Sequence, residues 1–213
     1  MNAHWTEAGR TWPLIEFHDL RCERGGREAM IGVAGLAGTE SFFSVMGEPD
    51  RLVMIRGFSG MDARREVLTQ IHAGPAWAER RRSYADLLRE GSVRLVRTLS
   101  PERNLNLGGG ARPLPCVALV SDLRFPEQIG NYHLWLRLLL RKAGLDPIAS
   151  FATLEAENDV PSVPVRRYRS EHVGFVATDA AVPELPRELR AMLRSPPEIL
   201  RLEPVRQAAL RAG

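Results

Sequence analysis

The amino-acid sequence predicts an α+β fold in which a ferredoxin-like unit, with the element order βαββαβ, occurs twice. Short runs with apolar residues at alternate positions, typical of half-buried strands, alternate with longer stretches of helical period. Glycine and proline pairs separate these runs. A stretch without periodicity, residues 100–115, contains a glycine triplet and three prolines. Such a composition is typical of a linker, so it divides the chain into two halves.

The first half follows the βαββαβ order. We predict strands at residues 14–22, 41–46, 52–58 and 93–99, a short helix at residues 27–38, and a long helical stretch at residues 62–90. The turn signal at residues 47–50 (GEPD) joins the second and third strands in a predicted hairpin. Gly74 and Pro75 break the long helical stretch once, because a proline inside a helix removes a backbone hydrogen bond.

The second half repeats this order. We predict strands at residues 116–123, 148–156, 172–177 and 198–202, and helices at residues 129–142 and 183–193. In the first of these helices, the spacing of four residues predicts one buried apolar stripe: Tyr132, Trp135, Leu136 and Leu139. The opposite stripe, with His133, Arg137 and Arg141, is expected to face solvent. The polar stretch at residues 157–170 is long for a hairpin loop and is expected to cover a pocket or to be mobile.

The domain organisation follows from these elements. We predict one ferredoxin-like domain at residues 12–100, a linker at 101–115, a second such domain at 116–203 and a tail at 204–213. Each ferredoxin-like sheet carries helices on one side only, so its bare face must be covered. The two sheets therefore pack on each other, as in a dimeric α+β-barrel, or on those of a second copy in a homodimer.

Composition excludes several function classes. No stretch approaches the roughly 18 uninterrupted apolar residues of a membrane span, and the N-terminal residues do not match a secretory signal. We therefore expect a cytoplasmic protein with no membrane partner. The net charge is +3, and the basic residues are dispersed among Asp and Glu instead of forming a patch. A nucleic-acid partner is not expected.

No cofactor or metal site is predicted. The two cysteines, Cys22 and Cys116, match no metal or redox spacing, and no HxH, HExxH or CxxC motif occurs. The triplet at residues 108–110 lacks the strand-to-helix context of a phosphate loop. No histidine lies in a motif that indicates haem ligation.

One segment of the first half closely resembles the signature of the NIPSNAP family. There, a strand ending in Arg-Gly-Phe precedes a Met, an Arg-bearing helix and a Gly-Pro-x-Trp corner. The matching residues here are Arg56, Gly57, Phe58, Met61, Arg64, Gly74, Pro75 and Trp77. The resemblance covers about residues 14–99 and implies a dimeric α+β-barrel. It implies no particular reaction, because the family is functionally diverse.

The sequence departs from the family pattern at several positions. His18 stands two residues after Glu16, where the family usually has an arginine. After the tryptophan, Arg81 fits the pattern, but Ala85 stands at the usual asparagine position. Ile71 and His72 stand where an aromatic pair usually precedes the Gly-Pro corner, so the resemblance does not transfer an activity.

Glu16, His18 and Arg56 form the predicted catalytic group. Glu16 and His18 are two residues apart on a strand and therefore share one face. If the other face, with Ile15 and Phe17, packs under the helices, Glu16 and His18 face the barrel interior. Arg56, on the neighbouring strand, is within reach of Glu16. His18 would act as acid or base, and Arg56 would hold an anionic or enolate oxygen. The alternative is a structural Glu16–Arg56 ion pair.

Further residues are predicted to contact a substrate. These are Met54, Phe58, His72, Trp77, Arg81 and His172. His72 precedes the Gly-Pro break, where it could overhang the barrel mouth. His172 begins a strand of the second half, and the sequence does not determine which face it occupies.

Two functions from different classes remain open. The first is a cofactor-independent enzyme for a small organic molecule, of isomerase, cyclase, lyase or oxygenase type, as fold analogy suggests. The second is a non-catalytic binding or scaffold protein. A cavity of at least about 300 Å³ touching Glu16 and His18 would favour the enzyme. A barrel interior filled with side chains would favour the scaffold.

Overall fold

The computed structural model describes residues 12–35, 40–101, 115–166, 170–177 and 181–205. The strands in these ranges are β1 Leu14–Cys22, β2 Ser41–Val45, β3 Glu48–Phe58, β4 Leu88–Pro101, β5 Cys116–Asp122, β6 Asp146–Thr153, β7 Glu171–Ala177 and β8 Glu198–Pro204. The helices are α1 Arg27–Ala34, α2 Met61–Ala73, α3 Pro75–Leu87, α4 Ile129–Lys142 and α5 Arg187–Ala191, with a short 3₁₀ helix at Pro126–Gln128.

The strands form a closed antiparallel barrel in the order β1-β3-β2-β8-β5-β7-β6-β4. Within each half, the first strand of the half lies between its third and fourth strands, and the second lies beside the third. The halves join at two seams, β2 with β8 and β4 with β6. The predicted α+β barrel class is therefore confirmed, and one chain closes the barrel.

Most predicted elements form near the expected positions. Met46 and Gly47 make the tight β2–β3 turn, with Gly47 at a φ of +81°, a value that glycine adopts without strain. The long helical stretch ends at Leu87, because Leu88 already pairs with Cys22 of β1. The last helix is shorter than predicted and begins only after Pro186. Most of the predicted linker and tail lie outside the described residues, so the domain boundaries stay predictions.

Most of the barrel interior is filled by apolar side chains. One cluster of buried side chains draws on all eight strands, namely Ile15, Phe17, Phe43, Val45, Val53, Ile55, Val96, Cys116, Ala118, Val120, Ile148, Ala149, Phe151, Val173, Phe175, Leu200 and Leu202. Burial of this apolar surface is a main source of the stability of the fold. The predicted site was expected in this interior, but side chains of the core fill the space.

The expected orientation of β1 was therefore wrong. Ile15 and Phe17 point into the barrel, so Glu16 and His18 lie on its outer face, beneath the helices. Strand alternation separates the two faces but does not say which one is inside. Two apolar residues fill the closed interior without an unpaired polar group, whereas the charged pair finds partners outside.

Charged side chains pair near the carboxyl end of β1. Arg51 donates to Asp19 at 2.7 and 2.8 Å, to Glu48 at 2.8 Å and to Glu198. These ion pairs hold the pKa of Arg51 above its usual range, and the hydrogen bonds that Arg51 donates to Asp19 contribute most. Arg51 thus ties β1, β3 and β8 together at this end. In the described part of the chain, no helix is both long and apolar enough to cross a membrane.

Candidate functional site

The candidate site is a cavity of about 130 Å³ between the outer face of the sheet and the helices of the first half. Strands β1, β3 and β4 form its floor, helices α2 and α3 form one wall, and residues 162–164 of the second half form another. Its lining residues are His18, Leu20, Ala34, Met54, Arg56, Ile71, His72, Trp77, Tyr84, Leu88, Gly91, Val93, Ser162, Val163 and Pro164.

His18 and Glu16 form a buried hydrogen-bonded pair. The distance from His18 Nε2 to Glu16 Oε2 is 3.1 Å, and the exposed fractions of the two residues are 5% and 0%. Burial lowers the pKa of His18, although Glu16 opposes this shift. Burial alone would raise the pKa of Glu16, but His18, Arg56 and Arg64 together lower it to about 2. At neutral pH the pair is therefore a carboxylate beside a neutral imidazole.

This charge state determines the tautomer of His18. An ionised carboxylate only accepts hydrogen bonds, so the imidazole proton lies on Nε2 and Nε2–H donates to Glu16. Nδ1 then carries a lone pair, and it has no hydrogen-bond partner among the described residues. A buried, oriented and unpartnered imidazole nitrogen beside a cavity is the arrangement of a general base.

Two arginines neutralise the buried carboxylates. Arg64 Nε donates to Glu16 Oε1 at 2.8 Å, and Arg56 Nη1 reaches Glu16 Oε2 at 3.4 Å. Arg56 Nη2 donates to Glu40 at 3.0 Å. All four residues are at most 5% exposed, so two guanidiniums compensate two carboxylates within the fold. Arg56 Nε has no hydrogen-bond partner within the described ranges.

A segment of the second half completes the site. Asp159 Oδ1 accepts from Arg64 Nη1 at 2.7 Å, and Asn158 Oδ1 accepts from Arg64 Nη2 at 3.0 Å. Asn158 Nδ2 donates to the carbonyl of Val163, which itself lines the cavity. The polar stretch predicted to cover a pocket therefore does so, over its described residues 157–166.

Helix α3 forms an aromatic wall. The Trp77 ring meets the His72 ring edge-on, with centroids 4.8 Å apart, and Tyr84 follows at 5.5 Å. Every α3 residue keeps some exposure to solvent. Burial, followed by the charge of Arg56, lowers the pKa of His72, and burial raises the pKa of Tyr84. The cavity is therefore covered by a helix in which every residue is at least partly exposed to solvent.

The structure brings some of the predicted residues together. Glu16, His18 and Arg56 are in contact as predicted, and the predicted substrate contacts Met54, His72 and Trp77 line the same cavity. Three other predicted substrate contacts lie elsewhere: Phe58 in the apolar cluster under α2, Arg81 exposed on α3, and His172 in the second half. The catalytic and binding roles of all nine stay predictions.

His172 belongs to a separate polar cluster beneath α4. Its Nε2 lies 3.3 Å from His133 Nδ1, its ring meets Tyr132 edge-on, and the Tyr132 hydroxyl lies 2.8 Å from Ser121 Oγ. The prediction that His133 faces solvent was wrong, since it is 8% exposed. Trp135, predicted to be buried, is 62% exposed. The buried face of α4 is therefore rotated relative to the predicted stripe, because His133 faces β7, the strand that carries His172.

Sequence reasoning gave no role to Glu40, Arg64, Tyr84 and Asn158. Arg64 stands in the NIPSNAP-like segment, so its position carried a signal. The other three carried none. Asn158 reaches the site only because the two halves close one barrel, and the chain separates it from Arg64 by 94 positions.

The fold and the cavity define this chain as an α+β-barrel protein with a histidine-lined cavity between its sheet and its helices. No protein-family model matches the chain, and no curated protein matches its sequence. A candidate monooxygenase from Fusobacterium nucleatum is similar in structure, with 7% identity and a TM-score of 0.53, covering 92% of this chain and 94% of that one. An anthrone oxidase-like protein has 15% identity and a TM-score of 0.51, covering 95% and 93%.

A NIPSNAP family protein from Agrobacterium tumefaciens is also similar to part of the chain. Its identity is 14% and its TM-score 0.36, and the match covers 43% of this chain and 90% of that one. At these identities the similarities describe the fold alone. The NIPSNAP relationship and the function are therefore taken up as proposals.

Proposed function

We propose that this chain is a NIPSNAP-like barrel enzyme that binds a small organic molecule, needs no cofactor and uses His18 as its base. One observation carries the proposal. His18 lines the cavity, is fixed by the ionised Glu16 through Nε2, and leaves Nδ1 unpartnered among the described residues. A histidine in a purely structural role would be expected to have both nitrogens satisfied.

The proposed chemistry begins with proton abstraction. His18 Nδ1 takes a proton from an acidic C–H or O–H group, and the electron pair stays on the substrate. The imidazolium that forms is stabilised by the Glu16 carboxylate at 3.1 Å. Arg56 also lines the cavity, and its free Nε–H can donate to the oxygen that gains negative charge. Isomerisation, cyclisation and elimination can each follow from such a step, and oxygenation can follow when O₂, as a co-substrate, accepts the electrons of the carbanion.

The charges around the cavity favour a neutral substrate. Arg56 and Arg64 are already compensated by Glu16 and Glu40, and His18 is neutral at pH 7. An anion would bring an uncompensated charge into a buried site, which is costly. Most of the other lining residues are apolar or aromatic. A small ketone or phenol meets these conditions.

A non-catalytic binding or scaffold protein is the second candidate. Two observations favour it: the barrel interior is filled with side chains, and the cavity of about 130 Å³ is below the roughly 300 Å³ of common ligand sites. A larger substrate would require α3 to move outward. Location in the cytoplasm and assembly into a homodimer stay sequence-based predictions.

Replacing His18 with glutamine is expected to remove catalysed proton exchange while leaving the fold intact. The amide retains a donor for Glu16 but cannot act as a base at neutral pH. The measurement is NMR with the protein in D₂O, following the binding of cyclohexanone and phenol and the exchange of the α-C–H groups of cyclohexanone. We expect exchange to fall by about 10²- to 10⁴-fold. The matched control is Arg82→Gln, an exposed position on α3 outside the cavity lining.

Two results would contradict the enzyme. Equal exchange in the wild type and the glutamine variant would remove His18 from the mechanism. Binding without exchange in the wild type would favour the binding protein. A titration of the His18 ring by ¹⁵N NMR separates geometry from activity, since we expect the Nε2–H tautomer and a pKa below 6.5.

A further inference from the structure

We propose that a second, larger cavity, at the seam between β4 and β6, binds an amphipathic organic acid, with the carboxylate on Arg97 and Arg166 and the hydrocarbon part on Leu95 and Ala152. This seam cavity has a volume of about 840 Å³, within the range of small-molecule sites. It shares no lining residue with the His18 cavity. The proposal is independent of the proposed function of His18.

The floor of the seam cavity is apolar. Leu95 of β4 is 2% exposed and Ala152 of β6 is 1% exposed. Ile129, at the start of α4, and Leu154 and Val165, from the segment between β6 and β7, line the cavity beside them. These side chains come from both halves of the barrel and form one surface against which a hydrocarbon chain can pack.

Three arginines from different elements, Arg97, Arg166 and Arg194, line the same cavity. Arg97 pairs with Ala152 across the seam, so its side chain starts at the floor itself. No hydrogen bond or ion pair of the Arg97 guanidinium is present among the described residues. Arg166 lies 3.5 Å from Glu171, which Arg94 already contacts at 3.1 Å. Arg194 lies 3.5 Å from Asp122. Of the three, Arg97, which is exposed, is therefore the arginine without a carboxylate partner among the described residues.

The acidic residues of the lining limit the charge of the ligand. Glu155 and Glu157 line the cavity and are exposed. Arg194 already pairs with Asp122, and Arg166 shares Glu171 with Arg94, so Arg97 is the lining cation of the described residues that a ligand carboxylate can neutralise. Guanidinium binds a carboxylate in bidentate fashion. Together with the apolar floor, this unpaired guanidinium favours a monocarboxylate with a hydrocarbon body.

The test is calorimetric titration of the full chain with octanoate, with octanol as a neutral ligand of the same length. We expect octanoate to bind with a Kd of about 1 mM or tighter and octanol to bind at least about fivefold more weakly. Arg97→Gln should weaken octanoate binding by about two- to fivefold. Arg82→Gln, at an exposed arginine of α3 that lines neither cavity, should leave the affinity unchanged. Ala156→Trp, at an exposed lining position, should block the cavity and abolish binding.

Several outcomes would overturn the proposal. They are absence of octanoate binding, equal affinity for octanol, and equal effects of the Arg97 and Arg82 substitutions. NMR shift changes that concentrate at His18 instead of Ile129 would also overturn it, because octanoate would then occupy the other cavity. Loss of proton exchange in His18→Gln has no bearing on this site, so the two proposals fail separately.

Discussion

Arg64→Leu is expected to lower the free energy of unfolding by about 3–5 kcal/mol, because it leaves a buried carboxylate without its closest cation. Arg64 is fully buried and donates to Glu16, Asn158 and Asp159 at 2.7–3.0 Å. For a chain of this size the loss corresponds to a fall in Tm of about 10 °C. Denaturant unfolding of the two proteins at pH 7 measures it.

Arg65→Leu is the matched control. Arg65 is the next residue of α2 and also contacts Asp159, at 3.0 Å, but its side chain is 56% exposed. An exposed ion pair contributes at most about 1 kcal/mol, so this variant should be close to the wild type. Equal losses of unfolding free energy in the two variants would show that the buried contacts of Arg64 stabilise the fold no more than the exposed contacts of Arg65 do.

Acidification is expected to destabilise the fold in two windows, which overlap between about pH 4.5 and pH 3. Burial, together with His133, lowers the pKa of His172 to about 3, so the unfolded chain binds this proton first. Its contribution is complete above pH 6.5 and is lost as the pH falls toward 3. Glu16, with a pKa lowered to about 2, contributes above pH 4.5 and loses this as the pH falls toward 2. Protonation of either group therefore lowers the free energy of unfolding as the pH falls.

His172→Leu should flatten the first window and leave the second. One buried neutral histidine contributes up to about 1.4 kcal/mol per pH unit, so the wild type should lose about 2–3 kcal/mol more than the variant between pH 6.5 and 4.5. Part of the slope should remain, because burial also lowers the pKa of His18. Urea unfolding across this pH range provides the measurement. Parallel stability curves for the two proteins would show that His172 titrates normally.

Most of the secondary structure could be predicted from the sequence. Local periodicity determines whether residues such as Leu14–Cys22 form a strand, and the Gly74–Pro75 break separates two helices whatever packs against them. The contact of Glu16 with Arg56 could also be predicted, because it depends only on register between neighbouring strands.

Helix orientation could not be predicted from the sequence with the same success. The α4 stripe contains enough apolar residues for several rotations, and Trp135 fits one of them as well as Leu136 does. The structure buries Leu136 and His133, because His172 supplies a partner for the imidazole from the second half of the sheet. A pattern of apolar residues does not contain this information, since the partner lies 39 positions away.

The order of the elements, their approximate limits and the α+β barrel class could be predicted from the amino-acid pattern. Which face of each strand lies inside, and with it the location of the candidate site, depends on how the closed barrel packs. Closing the barrel fills its interior with one face of all eight strands, and Glu16 on the outer face of β1 then pairs with Arg64. The reason is physical: alternation is local, whereas the choice between faces depends on the total volume and charge that the closed sheet must bury.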